Sequence, residues 1–223
     1  MADKRPTIAI LGGTGAVGAG LAWRWAKAGY PVIIGSRAAE KADHAVREVA
    51  GRAPGAALSG SENLAAAEAA DIVVLTVPYA NHGAMLEVVK HAVQGKIFVD
   101  VTVPLVPPKV SRVQLPDGGS VAKAAQEYLG PGVKVVSALH NVAAAHLSDD
   151  HGAPDCDVLV CGDVADARQQ VVELIEAAGL KGWHAGPIDN SVVAEALTSV
   201  LIFMNRRYKI DGAGIRITGE PEE

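Results

Sequence analysis

The sequence predicts an α/β fold, a doubly wound parallel sheet followed by a smaller C-terminal α/β lobe. Short apolar segments alternate with helical ones along the chain, the pattern of parallel strands joined by helical crossovers. The 223 residues are 49% hydrophobic but only 4% aromatic, which indicates a core of aliphatic side chains. This length suffices for one full domain and a small second lobe.

The first 140 or so residues are expected to hold most of the sheet. Predicted strands lie at residues 7–11, 31–35, 57–59, 71–78, 96–101 and 133–137. Segment 71–78 is apolar on both faces, as a central parallel strand should be. Helices are expected at residues 16–28, 40–49, 62–69, 83–92 and 120–129. Gly29 can end the first helix and Ser61 can cap the third, while four prolines make residues 103–116 an extended loop.

The polar, turn-rich stretch at residues 148–154 is a candidate boundary. Strands at 157–161 and near Trp183, and helices at 165–178 and 190–206, follow it. We therefore expect one domain over residues 1–150 and a small C-terminal lobe over 151–223. Cys156 and Cys161 lie five positions apart in a predicted strand and would face opposite sides of its sheet. They are predicted to be buried thiols rather than a disulfide.

The first predicted strand runs into a glycine-rich turn that opens a helix, with the spacing Gly13-x-Gly15-x-x-Gly18. Side chains at these positions would block the tight turn, the approach of a pyrophosphate and the packing of the helix on the strand. Backbone N–H groups at the helix start then face the diphosphate. The strand–turn–helix context favours a Rossmann-type dinucleotide site over a merely structural turn.

The end of the second strand indicates which dinucleotide is bound. An NAD site usually has Asp or Glu there, to accept hydrogen bonds from the ribose 2′-hydroxyl. This chain has Ser36 and Arg37, with Lys41 one helical turn further on. The alternative is that Arg37 and Lys41 are merely the solvated start of a helix. Cations there oppose the helix dipole, so an anionic partner is favoured, and the sequence predicts NADP(H) bound through its 2′-phosphate.

The strand-end loops at 76–79, 101–107 and 136–141 should meet at the carboxyl edge of the sheet, where ligands bind in open α/β folds. They supply apolar walls and few ionisable groups. An apolar platform beside a nicotinamide suits hydride transfer to a second planar cofactor, which chiefly needs stacked and oriented rings.

Other classes of function are disfavoured. The formal net charge of -5 gives no reason to expect nucleic acid or an anionic membrane as partner. No apolar run approaches the roughly 20 residues of a spanning helix, and the charged N-terminus does not resemble a signal peptide, so we expect a cytoplasmic protein. No metal site is predicted, because His146, Asp149, Asp150 and His151 lack any established ligand spacing. The acidic tail at 220–223 is expected to be disordered.

Several stretches together suggest a family. They include Leu11-Gly12-Gly13-Thr14-Gly15, Ile34-Gly35-Ser36-Arg37 and Val103-Pro104-Leu105-Val106-Pro107, and the more distinctive Ser137-Ala138-Leu139-His140 and Cys161-Gly162-Asp163. With these, the chain resembles the NADPH-dependent oxidoreductases of coenzyme F420, a deazaflavin. The similarity covers nearly the whole chain, with departures at Tyr79 and Ala143, where some members carry Trp and Pro.

The resemblance implies direct hydride transfer between the nicotinamide C4 and the deazaflavin C5, in a homodimer. It implies that the NADP diphosphate is lined by Thr14, Gly15, Ala16 and Val17. It implies that the 2′-phosphate is held by Ser36, Arg37 and Lys41, and the nicotinamide end by Val77, Val106 and Ala144. The deazaflavin would lie in a pocket formed by the C-terminal lobe and the loops around Pro104 and His140.

Three points stay open at this stage. His140 is a candidate catalytic residue that hydrogen-bonds the deazaflavin ring, or a histidine that caps a strand end. The cations Arg206, Arg207 and Lys209 either suit a helix C-terminus or meet the anionic tail of the deazaflavin. The activity itself has two alternatives: an NADPH-dependent reductase of a flavin, ferric complex or imine, and a non-catalytic NADP(H) sensor.

Overall fold

A parallel sheet forms the centre of the fold in the computed structural model, which describes residues 5–150, 152 and 154–219. Within these residues six strands pair in the order β3-β2-β1-β4-β5-β6. The strands are β1 (Ile8–Leu11), β2 (Val32–Ser36), β3 (Leu58–Glu62), β4 (Ile72–Leu75), β5 (Ile97–Asp100) and β6 (Lys134–Ser137). This is the strand order of the dinucleotide-binding α/β folds, and it confirms the predicted fold class.

Helices connect these strands across both faces of the sheet. They are α1 (Ala16–Lys27), α2 (Ala39–Arg52), α3 (Asn63–Ala69), α4 (His82–Val89), α5 (Val121–Leu129), α6 (Ala144–Ser148), α7 (Ala165–Ala177) and α8 (Ser191–Tyr208). Gly29 follows α1 with φ +84° and donates its N–H to Ala26, as a helix-ending glycine should. The prediction for Gly29 is therefore confirmed.

The core has two layers because successive strand residues point to opposite faces. Ile8 and Ile10 of β1 pack with α1, α2 and α7, whereas Ala9 and Leu11 pack with α3, α4 and α5. All four of these β1 residues are fully buried. Coverage of both faces explains why the strands are apolar throughout rather than alternating.

The C-terminal part adds a small parallel sheet. Strands β7 (Asp157–Val160) and β8 (Lys181–His184) pair with α7 as their crossover, and Cys161 bridges to Ser137 at the end of β6. The first core layer includes residues from both sides of position 150, among them Ile10 and Val158. A division at residue 150 stays a prediction. Both cysteines are buried free thiols, as predicted.

Two details of the sequence prediction were wrong. Ser61 does not cap α3, because it still pairs within β3 and the residue before the helix is Glu62, which makes no side-chain cap. Helix α6 was not predicted at all. Among the described residues, no helix is long and apolar enough to cross a membrane. The expectations for His151 and for residues 220–223 lie outside the described residues.

Candidate active site

The turn between β1 and α1 is closely packed on its inner side and open on its outer side. A Cβ on Gly13 would lie 2.7 Å from the Ile10 carbonyl oxygen, and one on Gly18 would lie 2.5 Å from the Gly13 Cα. A Cβ on Gly15 would meet only the Gly12 carbonyl oxygen, at 3.6 Å. Gly13 and Gly18 are thus needed for the turn and for helix packing, while Gly15 leaves the outer side accessible to a ligand.

Asn63 and Val77 hold this turn in place. Gly12 has φ +70° and donates its N–H to Asn63 Oδ1 at 3.1 Å. A Cβ on Gly12 would come within 2.7 Å of Val77 Cγ1, so Val77 packs directly against the turn. The sequence analysis missed Asn63, although its position just after β3, at the carboxyl edge of the sheet, could have suggested it.

The start of α1 is free to receive an anion. Thr14, Gly15 and Ala16 are exposed, and Val17 is half-buried. No side chain caps this helix, and its first turn has no acidic residue. Backbone N–H groups at such an end, together with the helix dipole, favour a phosphate.

The corner between β2 and α2, formed by Ser36, Arg37 and Lys41, lies next to this turn. The Gly13 N–H donates to the Gly35 carbonyl at 3.0 Å, and this bond links the turn after β1 to the end of β2. Ser36 is buried at the end of β2, whereas Arg37 and Lys41 are exposed. Within the described part of the chain, neither cationic side chain has a hydrogen bond or an ion pair, not even with the exposed Glu40. Both charges are therefore available to an anionic ligand.

The predicted apolar contacts lie on three elements around this edge. Pro104 is buried and Val106 is 44% exposed, both in the loop after β5. Ala144 is the half-buried first residue of α6. Helix α6 packs on α1 so closely that a Cβ on Gly20 would lie 2.7 Å from Leu147 Cβ.

Beneath the same edge lies a cluster of buried ionisable side chains. His82 Nε2 and Asp100 Oδ2 are 2.6 Å apart, and Asp100 Oδ1 accepts the Thr102 N–H at 3.0 Å. His140, after β6, is only 4% exposed, and neither ring nitrogen has a hydrogen-bond partner of normal geometry. Burial lowers the pKa of His140 to about 4, against the opposing effect of Asp100. Its imidazole is therefore neutral near pH 7.

Glu195 of α8 is a buried carboxyl group that the sequence analysis missed. It accepts the Val121 N–H at 2.7 Å and the Ala122 N–H at 3.0 Å, at the N-terminus of α5. Burial raises the pKa of Glu195 to about 7, although both N–H bonds act in the opposite direction. These two bonds link α8 to α5, which packs on one face of the six-stranded sheet.

A metal centre has no support in the described residues, where no group of three or more His, Cys, Asp or Glu side chains could hold an ion. His146 instead donates its Nε2 hydrogen to the Asp211 carbonyl, at 3.0 Å. Asp150 forms an ion pair with Lys27. These residues therefore have other partners.

Comparisons with known proteins indicate the family of this chain. Residues 7–104 match the family model described as NADP oxidoreductase coenzyme F420-dependent. The chain is 42% identical to the F420-dependent NADP reductase of Methanothermobacter marburgensis, over 96% of this chain and 99% of that protein. It is 41% identical to the enzyme of the same name from Methanocaldococcus jannaschii, over 95% and 97% of the two chains.

A solved structure from Arthrobacter sp. FB24, described as a putative F420-dependent NADP-reductase, superimposes with a TM-score of 0.78. It is 25% identical, and the match covers 96% of this chain and all of that one. Near-complete coverage at about 40% identity to the curated relatives places the whole chain, not only residues 7–104, in one group. This chain belongs to the family of coenzyme F420-dependent NADP oxidoreductases.

Proposed function

We propose that this protein transfers a hydride directly between NADP(H) and the deazaflavin coenzyme F420. The observation that carries the proposal is the junction of an open glycine turn with a cationic corner whose side chains have no partner among the described residues. The names of the curated relatives favour this activity over the reduction of a flavin, a ferric complex or an imine, and over a non-catalytic sensor.

The turn and the corner fit NADP(H) for two reasons. No side chain covers the outer side of the turn at Gly15, and no carboxylate among the described residues forms an ion pair with Arg37 or Lys41. The diphosphate is held by the backbone of Gly13, Thr14, Gly15, Ala16, Val17 and Gly18. The 2′-phosphate is held by Ser36, Arg37 and Lys41. A guanidinium donates paired charge-assisted hydrogen bonds to a phosphate, while a lysine acts as a point charge.

The apolar side chains around the carboxyl edge orient the two rings and exclude water between them. These are Val77, Pro104, Val106 and Ala144. NADP(H) and F420 supply the two ring carbons between which the hydride moves. In this arrangement His140 serves as a neutral hydrogen-bonding group rather than a cation, because its pKa is about 4.

A substrate comparison tests the activity. Purified protein is mixed with NADPH and, in separate reactions, with F420, FMN or ferric citrate, and NADPH oxidation is followed. We expect rapid oxidation with F420 alone. Oxidation with FMN or ferric citrate but not with F420 would contradict the proposal, as would NADPH binding without oxidation by any acceptor.

The protein is further proposed to act as a homodimer. Helix α8 exposes apolar side chains on one side, with Val193, Val200 and Phe203 at 61%, 45% and 55% exposure. Burial of such a stripe against a second copy would remove it from water. Sedimentation velocity should show a dimer that Phe203→Ser weakens, and a monomer at all concentrations would contradict it. The cytoplasmic location stays a prediction.

A further inference from the structure

Two segments of the chain carry cations without any acidic residue. Residues 103–116 contain Lys109 and Arg112, and residues 196–210 contain Arg206, Arg207 and Lys209. We call these five residues the cationic patch. They contrast with a whole chain whose formal net charge is -5. A helix C-terminus accounts for the cations at the end of α8, but not for those in the loop.

The fold brings the two segments together. Arg206 Nη1 donates to Ser111 Oγ at 3.3 Å, and Ser111 lies between Lys109 and Arg112 in the loop. The hydrogen bond thus places Lys109 and Arg112, which are two residues before and one residue after Ser111, in the chain segment beside the end of α8. Cations of the loop and of the helix therefore border the same surface.

The patch is exposed and forms no internal ion pair in the described part of the chain. All five side chains are exposed, and within the described residues none forms an ion pair. The carboxylates nearest in sequence are Asp211, which lies two residues after Lys209 and offsets part of its charge, and Asp117, which lies five residues after Arg112. An unneutralised group of cations on an otherwise acidic protein attracts an anionic ligand.

The patch borders the proposed site on two sides. The loop that carries Lys109 and Arg112 begins at the carboxyl end of β5 and includes Pro104 and Val106. The chain just after α8 packs on α6, since a Cβ on Gly212 would lie 2.9 Å from Ala143 Cβ. Ala143 directly precedes Ala144, the proposed nicotinamide contact.

We propose that the cationic patch binds the anionic tail of the deazaflavin substrate, through its phosphate and glutamyl carboxylates. This inference rests on the proposed function, because it assigns a second subsite for the same substrate. The ring lies against the apolar walls, and the tail extends over the loop and the end of α8. Charge complementarity at an exposed site accelerates association and makes binding sensitive to salt.

The test compares F420 with its deazaflavin riboside, which has the same ring system but no phosphate or glutamate. In the wild type, the KM for F420 should rise with ionic strength, and the KM for the riboside should not. The double variant Lys109→Gln/Arg112→Gln should raise the KM for F420 roughly tenfold, because two solvent-exposed charge contacts are lost. Its KM values for the riboside and for NADPH should stay unchanged.

The double variant Lys134→Gln/Arg47→Gln is the matched control, because it also removes one lysine and one arginine, both exposed, at the start of β6 and on α2. Arg206→Gln should raise the KM for F420, and Arg206→Lys should restore part of the loss. The double variant of the patch leaves the Arg206–Ser111 bond intact, so a folding defect is not expected, and thermal melting checks this.

The outcomes separate the two proposals. If wild-type protein does not oxidise NADPH with F420, the proposed function fails. If it does, but the wild type treats F420 and the riboside alike at all salt concentrations, the tail subsite is wrong. The subsite is also wrong if the double variant of the patch leaves the KM for F420 unchanged or raises the KM for the riboside equally.

Discussion

Two arginines of this chain lie in very different settings. Arg24 lies at the seam, which is the contact between the segment after residue 150 and the elements before it, and Arg37 lies at the corner between β2 and α2. At the seam, Arg24 is 8% exposed and donates to five backbone carbonyl oxygens. At the corner, Arg37 is exposed and donates to no group within the described residues. A guanidinium with internal partners stabilises the fold, whereas one without them is available to a ligand.

The contacts of Arg24 show how the seam is held. Its Nε donates to Leu147 at 2.8 Å and its Nη1 to Ala178 at 3.0 Å, while its Nη2 reaches His146, Asp149 and Gly152. One side chain of α1 thereby joins the end of α6, the loop after it and the end of α7. The carbonyls of Leu147 and Ala178, at the ends of α6 and α7, are the buried ones, and they would otherwise lack donors.

Arg24→Met should therefore strongly destabilise the fold. Methionine fills much of the same space but leaves the two buried carbonyls without partners, and we expect a loss of about 3–5 kcal/mol in the free energy of unfolding. Urea denaturation measures it. Arg37→Met, the matched control, should stay within about 0.5 kcal/mol of the wild type, as exposed substitutions usually do. Equal losses in both variants would refute the contrast between seam and corner.

Glu195 is a buried ionisable group of the seam, and its contribution to stability should depend on pH. Its folded pKa of about 7 lies above the ordinary value of 4.5, so the native state holds the proton more tightly than the unfolded chain. Stability from this group is thus complete at low pH and is lost as pH rises through 7. Relative to Glu195→Gln, the wild type should lose about 2–3 kcal/mol between pH 5 and pH 8.

The measurement is urea denaturation of both proteins across this pH range. The wild type and Glu195→Gln both keep the contact between His82 and Asp100 at 2.6 Å, so the variant changes only the carboxyl group. Parallel stability curves would mean that the two N–H bonds from α5 fully offset burial. The carboxyl group would then be an ordinary helix-capping ion.

The corner could be predicted from the sequence and the seam could not. The residues of the corner are close together in the sequence, whereas those of the seam are far apart in it. Gly13, Gly18 and Arg37 act within one strand–turn–helix unit, where spacing alone defines their geometry. The backbone partners of Arg24 lie at least 122 residues further along the chain. Helix α6 has only five residues, too few to be stable through local propensity, and its packing on α1 has no local pattern.

Arg37→Ala tests the corner directly. Loss of charge-assisted hydrogen bonds to the 2′-phosphate should weaken NADPH binding by about 1.5–3 kcal/mol, roughly ten- to 150-fold in Kd. Binding of NADH, which lacks that phosphate, should change little. Titration calorimetry with both nucleotides provides the comparison, and Arg47→Ala, on the exposed side of α2, is the control. Equal weakening of both nucleotides would show that Arg37 does not bind the 2′-phosphate.

The two arginines suggest that a polar side chain without internal partners is available to a ligand, and His140 tests whether this also holds for a buried group. It lies at the seam, where its carbonyl accepts the Thr198 hydroxyl at 2.7 Å, yet its ring lacks partners of normal geometry, as Arg37 does. If the buried ring of His140 forms a hydrogen bond with the deazaflavin, His140→Ala should slow turnover with F420. One neutral hydrogen bond predicts a loss of about 0.5–1.5 kcal/mol, or roughly two- to tenfold.

Steady-state kinetics at saturating NADPH measures this effect, and the Kd for NADPH should stay nearly intact. Because the pKa of His140 is about 4, the ring is neutral above that pH, and the ratio of variant to wild-type turnover should be constant between about pH 6 and pH 8. His140→Gln, which keeps a donor, should recover part of the rate. An unchanged turnover in His140→Ala would remove the residue from the reaction, and lack of a partner would then indicate a ligand only for exposed groups such as Arg37.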